Sequence, residues 1–144
     1  MTPDELALIA EDGRIVRSDS DAFAIRFYAT LFEIAPRTRD LFPEDLVEQR
    51  GKLVNELAFL VDAATASKSA GELDAFVQRA RDLGARHAGY GVTGADYAPV
   101  GVALVAALRD SVESWDAAHE LAWTKLFRLI SDVMREGAQG ATLG

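Results

Sequence analysis

The sequence predicts an all-α domain, and three observations predict it. Apolar residues recur at three- and four-residue steps, no strand-like alternation runs for any length, and the composition is rich in Ala, Leu, Glu, Asp and Arg. The 144 residues suit one domain. A chain of this size buries roughly 68–70% of the surface its unfolded form exposes, enough for a full core. Turn and cap residues divide it into about six or seven helices.

Thr2-Pro3-Asp4-Glu5 is a helix start, with Thr2 as cap and Pro3 in the first position. This helix is expected to fade near Val16. Ser18 or Ser20 caps a second helix to about Ile34, with Phe23, Phe27, Leu31 and Phe32 turned inward. Pro36 and Pro43 bracket a short helical turn, and a longer helix covers about 44–66. Residues 67–71 read as a loop. The next helix carries Leu73, Phe76, Val77, Ala80, Leu83 and Gly84 on one face, then His87, and Gly89 and Gly91 end it. Thr93 and Asp96 can both cap the helix after it, and Pro99 costs no hydrogen bond in a first turn. A strongly apolar helix runs through 100–108. The last begins near Ser114 and carries Trp115, Leu121, Trp123, Leu126, Phe127, Ile130, Val133 and Met134. The domain is expected to span 1–137, with 138–144 a flexible tail.

Composition excludes several classes. With no cysteine there is no disulfide framework, thiolate zinc site, iron–sulfur cluster or cysteine nucleophile. A net charge of −8 without a Lys or Arg run makes nucleic acid and anionic membrane poor partners. The apolar stretches fall short of the ~20 residues a membrane span needs. Asp4 and Glu5 give the wrong charge for a secretory signal, so a cytoplasmic location is expected. The sequence contains no glycine-rich phosphate loop, no His pair at metal spacing and no Gly-x-Ser-x-Gly turn. The acidic residues read as solvated faces, with no isolated acid–base pair.

Polar residues that interrupt apolar faces are the candidates for chemistry. His87 follows Leu83 by four residues and extends an apolar stripe. It reads either as a half-buried histidine bonded to backbone or as an iron ligand. Gln49 begins the inner face that continues with Leu53, Leu57 and Leu60. It is either a first-turn residue in water or an amide over a ligand pocket. Tyr28, beside Phe27, is either core or a hydroxyl aimed at a bound ligand. Tyr97 is either packing or a group that fixes His87. His119, among the charged first turns of the last helix, reads as surface, and Trp115 and Trp123 read as core packing.

In combination these residues resemble a known family. Phe27-Tyr28, Leu31-Phe32, Pro36 and Leu41-Phe42-Pro43 are similar to the second and third helices of a bacterial globin. Gln49-Arg50 with Leu53 resembles the start of a globin distal helix. Arg86-His87, with Tyr97 ten residues on and then Val100-Gly101, resembles the proximal stretch of flavohaemoglobins and their single-domain relatives. Ala122-Trp123 with Lys125 matches that group's last helix. The likeness covers about 4–134.

The resemblance implies a globin fold around haem b (iron protoporphyrin IX), with His87 as the proximal iron ligand. Phe42 would pack on the haem plane, with Leu53, Tyr97 and Val100 as further contacts. Tyr28 and Gln49 would be the distal pair, donating hydrogen bonds to O2 made partly negative by the iron. Reversible binding of O2 (and CO or NO) for storage, delivery or scavenging is the first reading. NO dioxygenation with a separate reductase is the second, and a haem-free globin fold the third. Oligomeric state is not set by the sequence.

Three departures from the flavohaemoglobin pattern stand out. The 144 residues end where that family's flavin and nicotinamide domains would begin, so no built-in electron source is expected. The stretch between Phe42 and Gln49 is about three residues shorter. The family's glutamate partner of the proximal histidine falls near Ala138, with Glu136 on a different face. Without that carboxylate, His87 would push less electron density to iron, which disfavours NO dioxygenase chemistry.

Overall fold

A computed structural model of the protein describes residues 1–66 and 70–143, with the side chains of all of these except 70–73 and 141–143. The α-helices are α1 (Pro3–Ser18), α2 (Ser20–Ile34), α3 (Val47–Ala66), α4 (Ala70–Gly89), α5 (Tyr97–Ser111) and α6 (Ala117–Leu143). Two 3-10 segments, Pro36–Leu41 and Gly94–Asp96, precede α3 and α5. Among the described residues there is no strand, and no single helix is long and apolar enough to cross a membrane.

Local chemistry sets the helix ends. At α1 a capping box forms, the Glu5 N–H donating to Thr2 Oγ1 and the Thr2 N–H to Glu5 Oε1. The Glu5 carboxylate also meets Lys125 of α6 at 2.8 Å. The helix continues two residues past Val16, to Ser18. At α3 the start moves from the expected 44 to Val47, because the Asp45 carboxylate accepts the Val47 N–H at 3.0 Å. Likewise α6 begins at Ala117 rather than Ser114, since Asp116 accepts from the N–H groups of Ala118 and His119. Thr93 and Asp96 form the capping box that opens the Gly94–Asp96 turn. Gly91, at φ +93°, supplies the left-handed residue after α4.

One core unites all six helices, with Phe23, Leu31, Phe76, Leu108, Trp123 and Leu126 essentially inaccessible. The broadest contact joins α4 to α6. Two glycines make it possible: a Cβ at Gly84 would collide with the Met134 carbonyl, and one at Gly137 with the Arg81 carbonyl. Gly137 is therefore a close-approach residue and does not end its helix. α6 runs on to Leu143, through the stretch expected as a flexible tail from 138. The expected loop at 67–71 gives way to α4 at Ala70, with 67–69 outside the described residues, as is the Leu73 side chain.

The surface assignment of His119 is overturned. His119 is 7% exposed, and its Nδ1 lies 2.7 Å from Oδ2 of Asp12, itself fully buried on α1. The same oxygen accepts the Trp123 Nε1–H at 2.9 Å. The acidic residues are thus not confined to solvated faces. Burial of a carboxylate here is compensated by two donors.

Candidate functional site

α4 delivers His87 two residues before its end. The imidazole is half-buried, with Nδ1 2.8 Å from the Leu83 carbonyl one turn earlier. A carbonyl only accepts, so Nδ1 carries the proton. Burial pushes the imidazole pKa below its usual value; the Arg86 charge acts the same way, while the Leu83 bond and Glu56 oppose it. A neutral ring protonated at Nδ1 leaves an unprotonated lone pair on Nε2. The chain turns at once: the N–H groups of Tyr90 and Val92 both donate to the His87 carbonyl.

α2 places Tyr28 in the core at 3% exposure, its ring edge-on to Phe27 at 4.8 Å and to Phe42 at 5.3 Å. Burial raises the phenol pKa, and the neighbouring side chain of Gln49, from the first turn of α3, partly offsets the rise. The hydroxyl therefore stays protonated and able to donate. Phe42 follows the Pro36–Leu41 segment and packs on Phe32 at 5.8 Å. Arg39 fixes this turn, lying over the Phe32 ring and donating to the carbonyls of Phe42, Pro43 and Glu44.

Phe42, Leu53, Leu83, Tyr97 and Val100 share one property: each packs against the core yet keeps part of its surface open. Half-open apolar side chains together with a half-buried imidazole that has one free nitrogen fit a flat, apolar, metal-bearing group. Arg135 lies over the Tyr97 ring at 5.1 Å and donates to the Gly94 carbonyl. Tyr97 is thus held from α6, while the hydrogen bond of His87 goes to Leu83. Glu136 is exposed and paired with Arg81 at 3.1 Å. Ala138 lines a cavity of about 490 Å³ with Ala88, Val92, Thr93, Tyr97 and Arg135. The position expected to carry a carboxylate toward His87 holds a methyl group instead.

Two features escaped sequence reasoning. The Asp12–His119–Trp123 network had a signal, since Ile9, Asp12 and Val16 share one helical stripe. The second joins α3 to α4: Arg79 donates to both oxygens of Glu56, each at 2.9 Å. Nothing in the sequence pairs residues 23 apart on separate helices.

Comparison with known proteins gives the family and the fold. The globin family profile matches residues 25–134. The chain is 27% identical over 132 residues to an anaerobic nitrite reductase of Oryza sativa subsp. indica, covering 90% of each protein. In fold it is similar to ferric myoglobin of Aplysia limacina, with TM-score 0.78, 22% identity and 95% and 98% of the two chains covered. A bacterial globin from Campylobacter jejuni is similar too, with TM-score 0.78, 19% identity and 99% and 100% covered. With the family match spanning well over half of its length, the chain belongs to the globin family.

Proposed function

We propose that this globin holds haem b through Nε2 of His87 and binds O2 reversibly. The observation that carries the reading is the His87 hydrogen bond to Leu83, which fixes the ring and leaves Nε2 unprotonated. Haem, when bound, would supply an iron able to take a diatomic gas (O2, CO or NO). Phe42, Leu53, Tyr97 and Val100 would contact the ring and keep water from it. Tyr28 and Gln49 are the donors for the gas: a phenol kept neutral by burial and an amide beside it. In a dry pocket such donors favour a polarised O2 over CO and slow its release.

Reversible binding is favoured over NO dioxygenation by one observation. Glu136 is turned to Arg81 and position 138 is Ala, so neither supplies His87 with the carboxylate that would strengthen its electron donation. Dioxygenation would in addition need a reductase to restore ferrous iron. The rice relative bears the name of a nitrite reductase, so nitrite belongs beside the gases in the first assay.

Absorption spectra of the purified protein, ferric, dithionite-reduced, then with CO or O2, test the reading. An intense band that shifts on reduction and again with each gas is expected. Protein that stays colourless after hemin is added refutes it. In His87→Ala, hemin retention should fall steeply; full retention would mean that another side chain holds the iron.

A further inference from the structure

Beside Tyr97 lies the cavity of about 490 Å³, a volume within the range of small-molecule sites. Its apolar walls are Ala88 near the end of α4, Val92 just after it, Tyr97 at the start of α5 and Ala138 on α6, each half-buried. Arg135, three residues before Ala138, is the cation of the lining, and among the described residues no acid lines the cavity. On a chain of net charge −8 such a lining is an exception. Of the side chains proposed to contact haem, Tyr97 alone borders it.

The Arg135 guanidinium is held in place yet keeps donors to spare. It lies 5.1 Å from the centroid of the Tyr97 ring and gives a hydrogen bond to the Gly94 carbonyl at 3.3 Å. Asp132 stands 3.9 Å away, exposed and beyond hydrogen-bond distance. Asp96, the buried acid next to Tyr97, is already satisfied. Arg37 meets its Oδ1 at 2.7 Å, and the N–H and hydroxyl of Thr93 donate to Oδ2. A guanidinium so fixed loses little freedom on meeting a carboxylate, whose two oxygens match its fork.

We propose that this cavity is a second binding site, which takes a small monocarboxylate with an apolar body. The carboxylate pairs with Arg135, and the body lies against Tyr97, Val92 and the two alanines. One guanidinium matches a single negative charge, whereas a phosphate dianion would find no second cation in the lining. Such a site does not depend on haem, since its walls and its cation come from the chain alone.

Calorimetric titration with sodium benzoate at low salt tests it, on the chain with and without hemin. A single saturable site is expected, with a dissociation constant of about 1 mM or tighter. Benzyl alcohol, which lacks the charge, and acetate, which lacks the ring, should each bind at least about tenfold more weakly. Arg135→Gln should weaken benzoate binding at least about tenfold, and Ala138→Leu, which fills the cavity, by a similar factor. Circular dichroism checks that both variants fold. Should Ala138→Leu disturb the helix packing, Arg135→Gln decides alone, because that side chain is 45% exposed. No saturable binding at about 10 mM, binding indifferent to Arg135→Gln, or either control binding as tightly as benzoate overturns the inference. So does benzoate binding that hemin abolishes, which would assign the cavity to the haem site. A chain that binds benzoate but takes up no hemin refutes the haem reading and leaves this site standing.

Discussion

Replacing Asp12 by Ala tests the buried hydrogen-bond network that joins α1 to α6. Oδ2 accepts from His119 Nδ1 at 2.7 Å and from Trp123 Nε1 at 2.9 Å, so truncation strands two buried donors at once. Each unsatisfied donor costs about 1–3 kcal/mol. Against this stands relief: Oδ1 is buried without a partner, and its desolvation penalty disappears with the carboxylate. The net loss should be about 2–4 kcal/mol, consistent with breaking a buried pair from one side. For a chain of this length that lowers Tm by about 6–16 °C. Asp12→Asn keeps one oxygen where both donors point, and should lose about half as much. Urea denaturation followed by circular dichroism gives both values. A loss under about 0.5 kcal/mol for Asp12→Ala, or an Asn variant no better than Ala, would refute the reasoning.

Other parts of the molecule give further expected outcomes. Tyr28→Phe removes one of two donors proposed for the gas, worth about 1.5–3 kcal/mol if its partner is polarised, so O2 release by stopped flow should accelerate about 10- to 150-fold; an unchanged rate removes Tyr28 from the distal pair. Gly84→Ala should gain about 1 kcal/mol from helix propensity, but its Cβ collides with the Met134 carbonyl and forces α4 from α6, so net destabilisation is expected and a more stable variant would refute the contact. The Glu5 carboxyl is held at about 2, mainly by its hydrogen bond from Lys125, against 4.5 in the free side chain. Its contribution is therefore complete above about pH 4.5 and is lost as pH falls through 2. Lys125→Met should flatten the decline in urea midpoint between about pH 5 and about pH 3, and an acid limb unchanged from the parent would count against the pair.

Much of the fold was legible because its punctuation is local. Thr2 with Glu5, Thr93 with Asp96, and Gly91 after α4 each act within a turn, so their residue types alone specify what the backbone does. What escaped depends on which helix faces which. His119 stands between Asp116 and Glu120, and such neighbours look solvated until Asp12 arrives from a helix 107 residues away. Gly137 carries the same letter as a helix stop, and only the Arg81 backbone beside it makes it a packing residue. At the candidate site, the neighbours Tyr28 and Gln49 were suggested by resemblance to a family, since no periodicity links α2 to the start of α3. A backbone partner for a half-buried His87 was one of the two readings, but which carbonyl it would be was not legible, because every residue carries one.

The two sides of the site are fastened by different physics. α4, which bears His87, is locked to α6 by backbone-to-backbone approach at Gly84 and Gly137, and to α3 by a bidentate ion pair. Close packing of this kind has few alternative arrangements, because a small displacement forfeits many contacts together. The start of α3, which bears Gln49, has its polar fastening in the Asp45 cap and a bond from Arg50 to an exposed Asp21, beside Leu46 and Leu53, which are only partly buried against the core. A surface pair of that kind contributes at most about 1 kcal/mol and weakens with salt. The polar fastening near Gln49 is therefore weaker than the backbone approach that holds the helix of His87. Under the haem reading proposed above, such a division suits a site in which His87 stays fixed while Gln49 adjusts. It also gives the two sides separate experimental signatures, since salt should alter ligand rates set at Gln49 and leave hemin retention through His87 nearly untouched.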